Sequence, residues 1–126
     1  MRRLTTALIL ILLLGGICVT GIWTVNHHYE KIDSLLDQAV DCYEQNDMER
    51  AAALAVDIEN QWVKSERYLS IFVDHNTVDE VGVSISKLEP LAISGAKADY
   101  LAACKNAHLQ LLHIRENEKV SFLNVL

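Results

Sequence analysis

Five histidines and three cysteines are the side chains with most to offer a reaction or a metal ion. Cys104 and His108 stand four positions apart, so on a helix they share a face and suit two zinc ligands. Two ligands do not close a structural site, and His113 lies five residues further on, turned elsewhere. A packed cysteine beside a half-buried histidine is the preferred reading. His27 and His28 are neighbours, about 100° apart around a helix axis, and read as polar residues at a membrane surface. Asp74, His75 and Asp79 contain the groups of an acid–base pair, but at a helix junction Asp and Asn commonly cap and His orders the turn. No serine elbow, glycine-rich phosphate loop or His–carboxylate metal motif accompanies them. Cys42 and Cys104 are candidates for a disulfide if their Cα atoms come within about 7 Å in an oxidising compartment. The expectation is a protein that is not an enzyme, with no catalytic residue, metal or cofactor.

The elements that hold these groups are set by two unlike regions. From Leu4 to Val25 no residue carries a charge, and Leu, Ile and Val dominate. A bilayer core about 30 Å thick takes about 20 apolar helical residues, so this run is long enough to cross it. Arg2 and Arg3 precede it, and Lys31 alone is a lysine or arginine in the next dozen residues. The positive-inside rule then puts residues 1–3 in the cytoplasm, 4–25 in the cell membrane as a single-pass signal anchor, and 26–126 outside. A cleaved signal peptide would have a shorter apolar core, about 7–15 residues, and a small-x-small site. Val19-Thr20-Gly21 offers that site only inside the run, and Ile17 before Cys18 departs from a lipoprotein signal.

All 17 acidic side chains lie beyond the run, and the net charge of −6 argues against nucleic acid as a partner. With 51% of residues apolar, disorder is excluded, and one proline with five glycines disfavours a sandwich or barrel. The periodicity is helical. Ile32, Leu35, Leu36, Ala39, Val40 and Tyr43 form one stripe, continuous with the membrane run. Asn46 or Asp47 punctuates the chain, with Glu49 placed to reach back to Asn46. A second stripe, Ala51, Ala55, Ile58, Trp62, Ser65, Leu69 and Phe72, ends near His75-Asn76. Thr77 and Glu80 read as a capping box opening a third helix with Val78, Val81, Ile85 and Leu88 inward. Val81, Val83 and Ile85 also alternate like a strand, and the box decides for helix. Pro90 is expected to kink or loosen that helix about one turn later, and Ser94-Gly95 to close it. The last helix starts near Ala96 with Tyr100, Cys104, Ala107, Leu111 and Ile114 inward. The fold class is all-α: an N-terminal transmembrane helix continuing into a small antiparallel bundle.

The stretch from Phe72 through Asp74-His75-Asn76 to Val81, then Ser84 to Glu89, resembles a bacterial membrane-anchored family named domain of unknown function 4363. So does the end of the chain, Leu112-His113-Ile114-Arg115-Glu116-Asn117-Glu118-Lys119 and Asn124-Val125-Leu126. The order of parts is similar too: short basic N-terminus, single anchor, Trp62 in the second helix, then the Asp-His segment. The resemblance marks Trp62, Asp74, His75, Asp79, His113, Phe122, Leu123, Asn124 and Leu126 as signature or interaction residues and implies no chemistry. Where the family often has proline after the His-Ile pair, this chain has Arg115. The tail Phe122–Leu126 either packs back on the bundle, the favoured reading, or docks on a partner.

The expected function is that of a non-enzymatic interaction or accessory subunit. The bilayer engages residues 4–25, and a second membrane protein of unknown identity is the expected partner. The alternative is a sensory or small-ligand-binding bundle signalling through such a partner. Self-association through Gly15-Gly16 or the second stripe stays open.

Overall fold

The computed structural model describes the backbone of residues 1–125 and their side chains, those of 118–123 and 125 excepted. Among the described residues the chain forms five helices and no strand: α1 (Arg2–Glu44), α2 (Met48–Phe72), α3 (His75–Ser86), α4 (Leu88–Ser94) and α5 (Lys97–Val125). α1 packs against α2 and α5; α3 and α4 pack on the opposite side, also against α2 and α5. With short turns between them, the elements make four antiparallel columns, and α3 and α4 share the fourth.

The stripes read from the sequence are the core. Ile32, Leu36 and Ala39 of α1 meet Ala51, Ala55 and Ile58 of α2, and Tyr100, Cys104 and Ala107 of α5, all buried. The ambiguous third segment is helical, because Val78, Val81, Ile85 and Leu88 bury while Val83 stays 54% exposed. A strand would have put Val81, Val83 and Ile85 on one face.

Helix ends differ from expectation in three places, each for a backbone reason. α1 closes with Asn46 in the left-handed region (φ 57°), where Asn46 N–H donates to the Tyr43 carbonyl and Asp47 N–H to that of Cys42. These bonds make a Schellman motif, and asparagine tolerates its conformation. Asp47 therefore caps α2, accepting from Arg50 N–H at 3.2 Å, and Glu49 does not close a box onto Asn46. Between α2 and α3 the turn takes only Val73 and Asp74. Val73 is extended and 7% exposed, a plug that folds the chain back at once. α3 consequently starts at His75, and Thr77 lies inside the helix rather than capping it. Near Pro90 the helix breaks one turn earlier, at Lys87. Proline has no N–H for the Ser86 carbonyl, and its ring crowds that carbonyl.

The remaining punctuation follows the sequence. Gly95 closes α4 at φ 72°, with Gly95 N–H on the Ala92 carbonyl and Ala96 N–H on that of Leu91. Lys97 Nζ donates to Asn46 Oδ1 at 2.5 Å, joining the two turns at one end of the bundle. α5 runs through Arg115 without a break.

α1 is one unbroken helix of 43 residues, and its N-terminal part is long and apolar enough to span a membrane. Leu8, Leu12 and Ile17 are exposed there, whereas Cys18, Gly21 and Val25 are already buried by the bundle.

Replacing Gly95 by alanine puts a Cβ into a left-handed conformation, so Gly95→Ala is expected to lower stability by about 1–2 kcal/mol. Urea unfolding of the full chain in detergent measures it.

Candidate functional site

The densest polar arrangement lies where α1 leaves its apolar run. Helical spacing puts Trp23 and His27 one turn apart, and their rings stack at 5.2 Å with 5° between planes. His28 meets His27 edge-on at 5.7 Å and stacks on Tyr68 of α2 at 5.5 Å. Ser65 occupies a core position of the α2 stripe, 0% exposed, with Oγ 2.7 Å from His28 Nδ1. Gln61 Nε2 donates to the same oxygen at 3.4 Å, which leaves the serine hydroxyl free to donate to the imidazole. Burial first, then the neighbouring His27 and Lys31 charges, hold the His28 pKa below its ordinary value. A serine next to a histidine evokes a nucleophile and its base. Here the hydroxyl is sealed from solvent, and the charged groups acting on the imidazole are cationic, where a catalytic base is oriented by a carboxylate. The pair fastens α1 to α2.

A second set fastens α1 to α5. His108 Nδ1 contacts Asp33 Oδ1 across the two helices. The Arg115 guanidinium lies 5.0 Å over the Tyr29 ring. Tyr29 titrates above the usual phenol value through burial and the Asp33 charge, with Arg115 opposing. Deeper in, Tyr100 donates to the Ala51 carbonyl at 3.3 Å. Burial pushes the Cys104 thiol up to about 11. On the far side Ser84 donates to Gln110 Oε1 at 2.7 Å and accepts from Asn106 Nδ2 at 3.2 Å.

Residues 19–125 match the family model described as domain of unknown function (DUF4363). The chain belongs to this family. Comparison with curated proteins and with solved structures gives no match. The matched stretch begins beside Cys18, where burial by the bundle begins, so the DUF4363 unit includes the last residues of the apolar run.

In this DUF4363 domain the signature residues are scattered. Trp62 is 3% exposed in the core, with its indole N–H buried and without a hydrogen-bond partner among the described residues. Gly82 makes room for it: a Cβ there would stand 3.1 Å from Trp62 Nε1. Asp74 occupies the position before α3 without a side-chain cap bond, and His75 and Asp79 are exposed on its first turns. His113 and Asn124 are exposed as well. The packing expected of Phe122, Leu123 and Leu126 lies outside the described residues. Cys42 and Cys104 are buried free thiols, without the disulfide considered from the sequence. Among the described residues no three His, Cys, Asp or Glu side chains gather as a metal site. His108 contacts Asp33, and it lines a groove together with Cys104.

Sequence reasoning missed Ser65, Gln61, Tyr68 and Asp33 as partners of the histidines. The available signal was Ser65 itself, a polar residue in an apolar stripe, which demands a hydrogen-bond partner from the facing helix.

Two outcomes follow from this chemistry. In the native full chain the three cysteines are expected to resist a thiol reagent, and all three to react once the protein is denatured without reductant. Two missing thiols after denaturation would reveal a disulfide. For His28 the folded pKa is depressed, so the unfolded chain takes up the proton first as pH falls. Its stabilising contribution is therefore complete above pH 6.5 and declines below it. Urea midpoints on either side of that pH should fall more for the wild type than for His28→Gln.

Proposed function

We propose that this DUF4363 domain is a non-catalytic, single-pass membrane protein whose bundle serves as an interaction or accessory subunit on the extracytoplasmic side. The observation that carries this reading is the continuity of α1. One helix exposes apolar residues such as Leu12 in its first half and lays Ile32, Leu36 and Ala39 into the bundle core in its second. The bundle is thereby held at a fixed height and rotation relative to the span. Arg2 and Arg3 keep the N-terminus in the cytoplasm. His28 and His108, with the buried hydroxyls of Ser65, Ser84 and Tyr100, are engaged in contacts between helices, which supports a structural rather than a catalytic use. Exposed apolar side chains on the outer faces, Val63 on α2 and Val83 on α3, are places where a membrane-protein partner or a second copy can touch.

A second reading is favoured by an open groove of about 480 Å³ lined by His27, Glu30, Lys31, Ser34, Leu35 and Gln61. A small polar ligand there would touch the anchor helix directly, and its binding would be passed to a partner in the membrane.

Photo-cross-linkers at Val63 and Val83 of the full chain in native membranes are expected to trap one defined membrane protein or a second copy. Recovery of the monomer alone would overturn the interaction reading. A small molecule that raises the Tm without changing the cross-links would favour the ligand-binding one.

A further inference from the structure

The bundle reaches further down α1 than the apolar run would suggest. Its α2 end brings Phe72 against a groove of about 400 Å³ whose other walls are Leu12, Leu13, Gly16, Ile17 and Thr20, all inside the uncharged stretch. Up to Ile17 the helix has no residue buried by the bundle. From Leu4 to Ile17 it advances about 20 Å at 1.5 Å per residue. The hydrocarbon core of a bilayer is about 30 Å thick, so the free part falls short by about 10 Å.

The surface beside the missing length has the chemistry of a membrane boundary. Trp23 is 65% exposed, Tyr68 52% and Ile71 72%. Tyr68 and Ile71 are three apart on α2, and so share a face. Tryptophan and tyrosine at the end of an apolar span are the side chains that favour the headgroup level. The polar turn Asp74-His75-Asn76, exposed at the same end, limits how deep this base can go.

We infer that the base of the bundle is itself a lipid-facing surface, with Trp23, Tyr68 and Ile71 seated at the headgroup–acyl boundary of the bilayer and acyl chains filling the groove beside Phe72. This rests on the reading of α1 as a membrane anchor. The occupant is lipid because the groove is continuous with the exposed span, and the span is too short to lift the base clear. Local thinning of the bilayer and extension of Arg2 and Arg3 toward the opposite headgroups take up the remaining mismatch.

The test places single reporter tryptophans in the full chain, in a Trp23→Phe background, with buried Trp62 as a constant reference. Vesicles are phosphatidylcholine, either plain or brominated at shallow or deep acyl positions. Leu10→Trp reports on the anchor, Ile71→Trp on the base, and Ile93→Trp, at a site 71% exposed at the other end of the bundle, on the aqueous side. The expected result is that Ile71→Trp loses at least about a third of its emission to shallow bromines, that Leu10→Trp is quenched best by deep ones, and that Ile93→Trp is unaffected. If Leu10→Trp is quenched while Ile71→Trp behaves like Ile93→Trp, the anchor stands and the lipid-facing base is overturned. Blue-shifted but unquenched Ile71→Trp emission would mean that a second copy covers the surface, which also overturns it. Failure of Leu10→Trp to respond would remove the anchor reading itself.

Discussion

A chain inside hydrocarbon must satisfy its own backbone hydrogen bonds, and a single segment can do so only as a helix. Here the N-terminal part of α1 is long and apolar enough to cross a membrane, and its second half is one wall of the bundle. α1 runs from Arg2 to Glu44 without a break, so both parts belong to one helix. Three glycines at 15, 16 and 21 do not interrupt it. Gly15 and Gly16 face open space, whereas Gly21 is buried against the bundle. Its inward stripe begins at Cys18 and continues through Val25, Tyr29, Ile32 and Leu36. The other helices are arranged around that stripe, and α2 and α5 take the two sides of it.

Apolar stripes alone leave helix rotation and height loosely specified, and the polar contacts narrow them. His28 with Ser65 fixes α1 against α2 near the apolar run. Asp33 with His108, and Tyr29 with Arg115, fix α1 against α5 at about the same height. Tyr100 on the Ala51 carbonyl ties α5 to α2 further out. Each partly exposed pair contributes about 1 kcal/mol or less, so their value lies in register more than in total stability. The buried indole N–H of Trp62 lacks a partner among the described residues, a cost the close packing of Gly82 makes no attempt to relieve through hydrogen bonding. Burial of the large ring against α3 offsets it.

The helical stripes, the length of the apolar run, the antiparallel order and the Gly95 stop were legible in the sequence, because each depends on spacing along one element. The family was legible too, from the Asp74-His75 segment and the chain's end. The α2 cap is Asp47, one of the two residues expected, without the box from Glu49 onto Asn46, and the α3 cap is Asp74, three residues before the expected Thr77. Several side chains at each junction can cap, and the choice fell to backbone geometry: the left-handed Asn46 at one turn and the buried Val73 at the other. The break at Lys87 likewise follows from Pro90 acting on the carbonyl four residues before it.

What the sequence determined by itself is periodic: an uncharged run able to cross a bilayer, four helical columns, and the residues that face inward. Only the tertiary structure decided which histidine meets which partner, because Ser65 and His28, or Asp33 and His108, are brought together by helices far apart in the chain. It also decided which part of the uncharged run the bundle covers. Cys18, Gly21 and Val25 are buried although the run continues to Val25, since burial depends on which surface arrives from another helix and not on the polarity of the residue it covers.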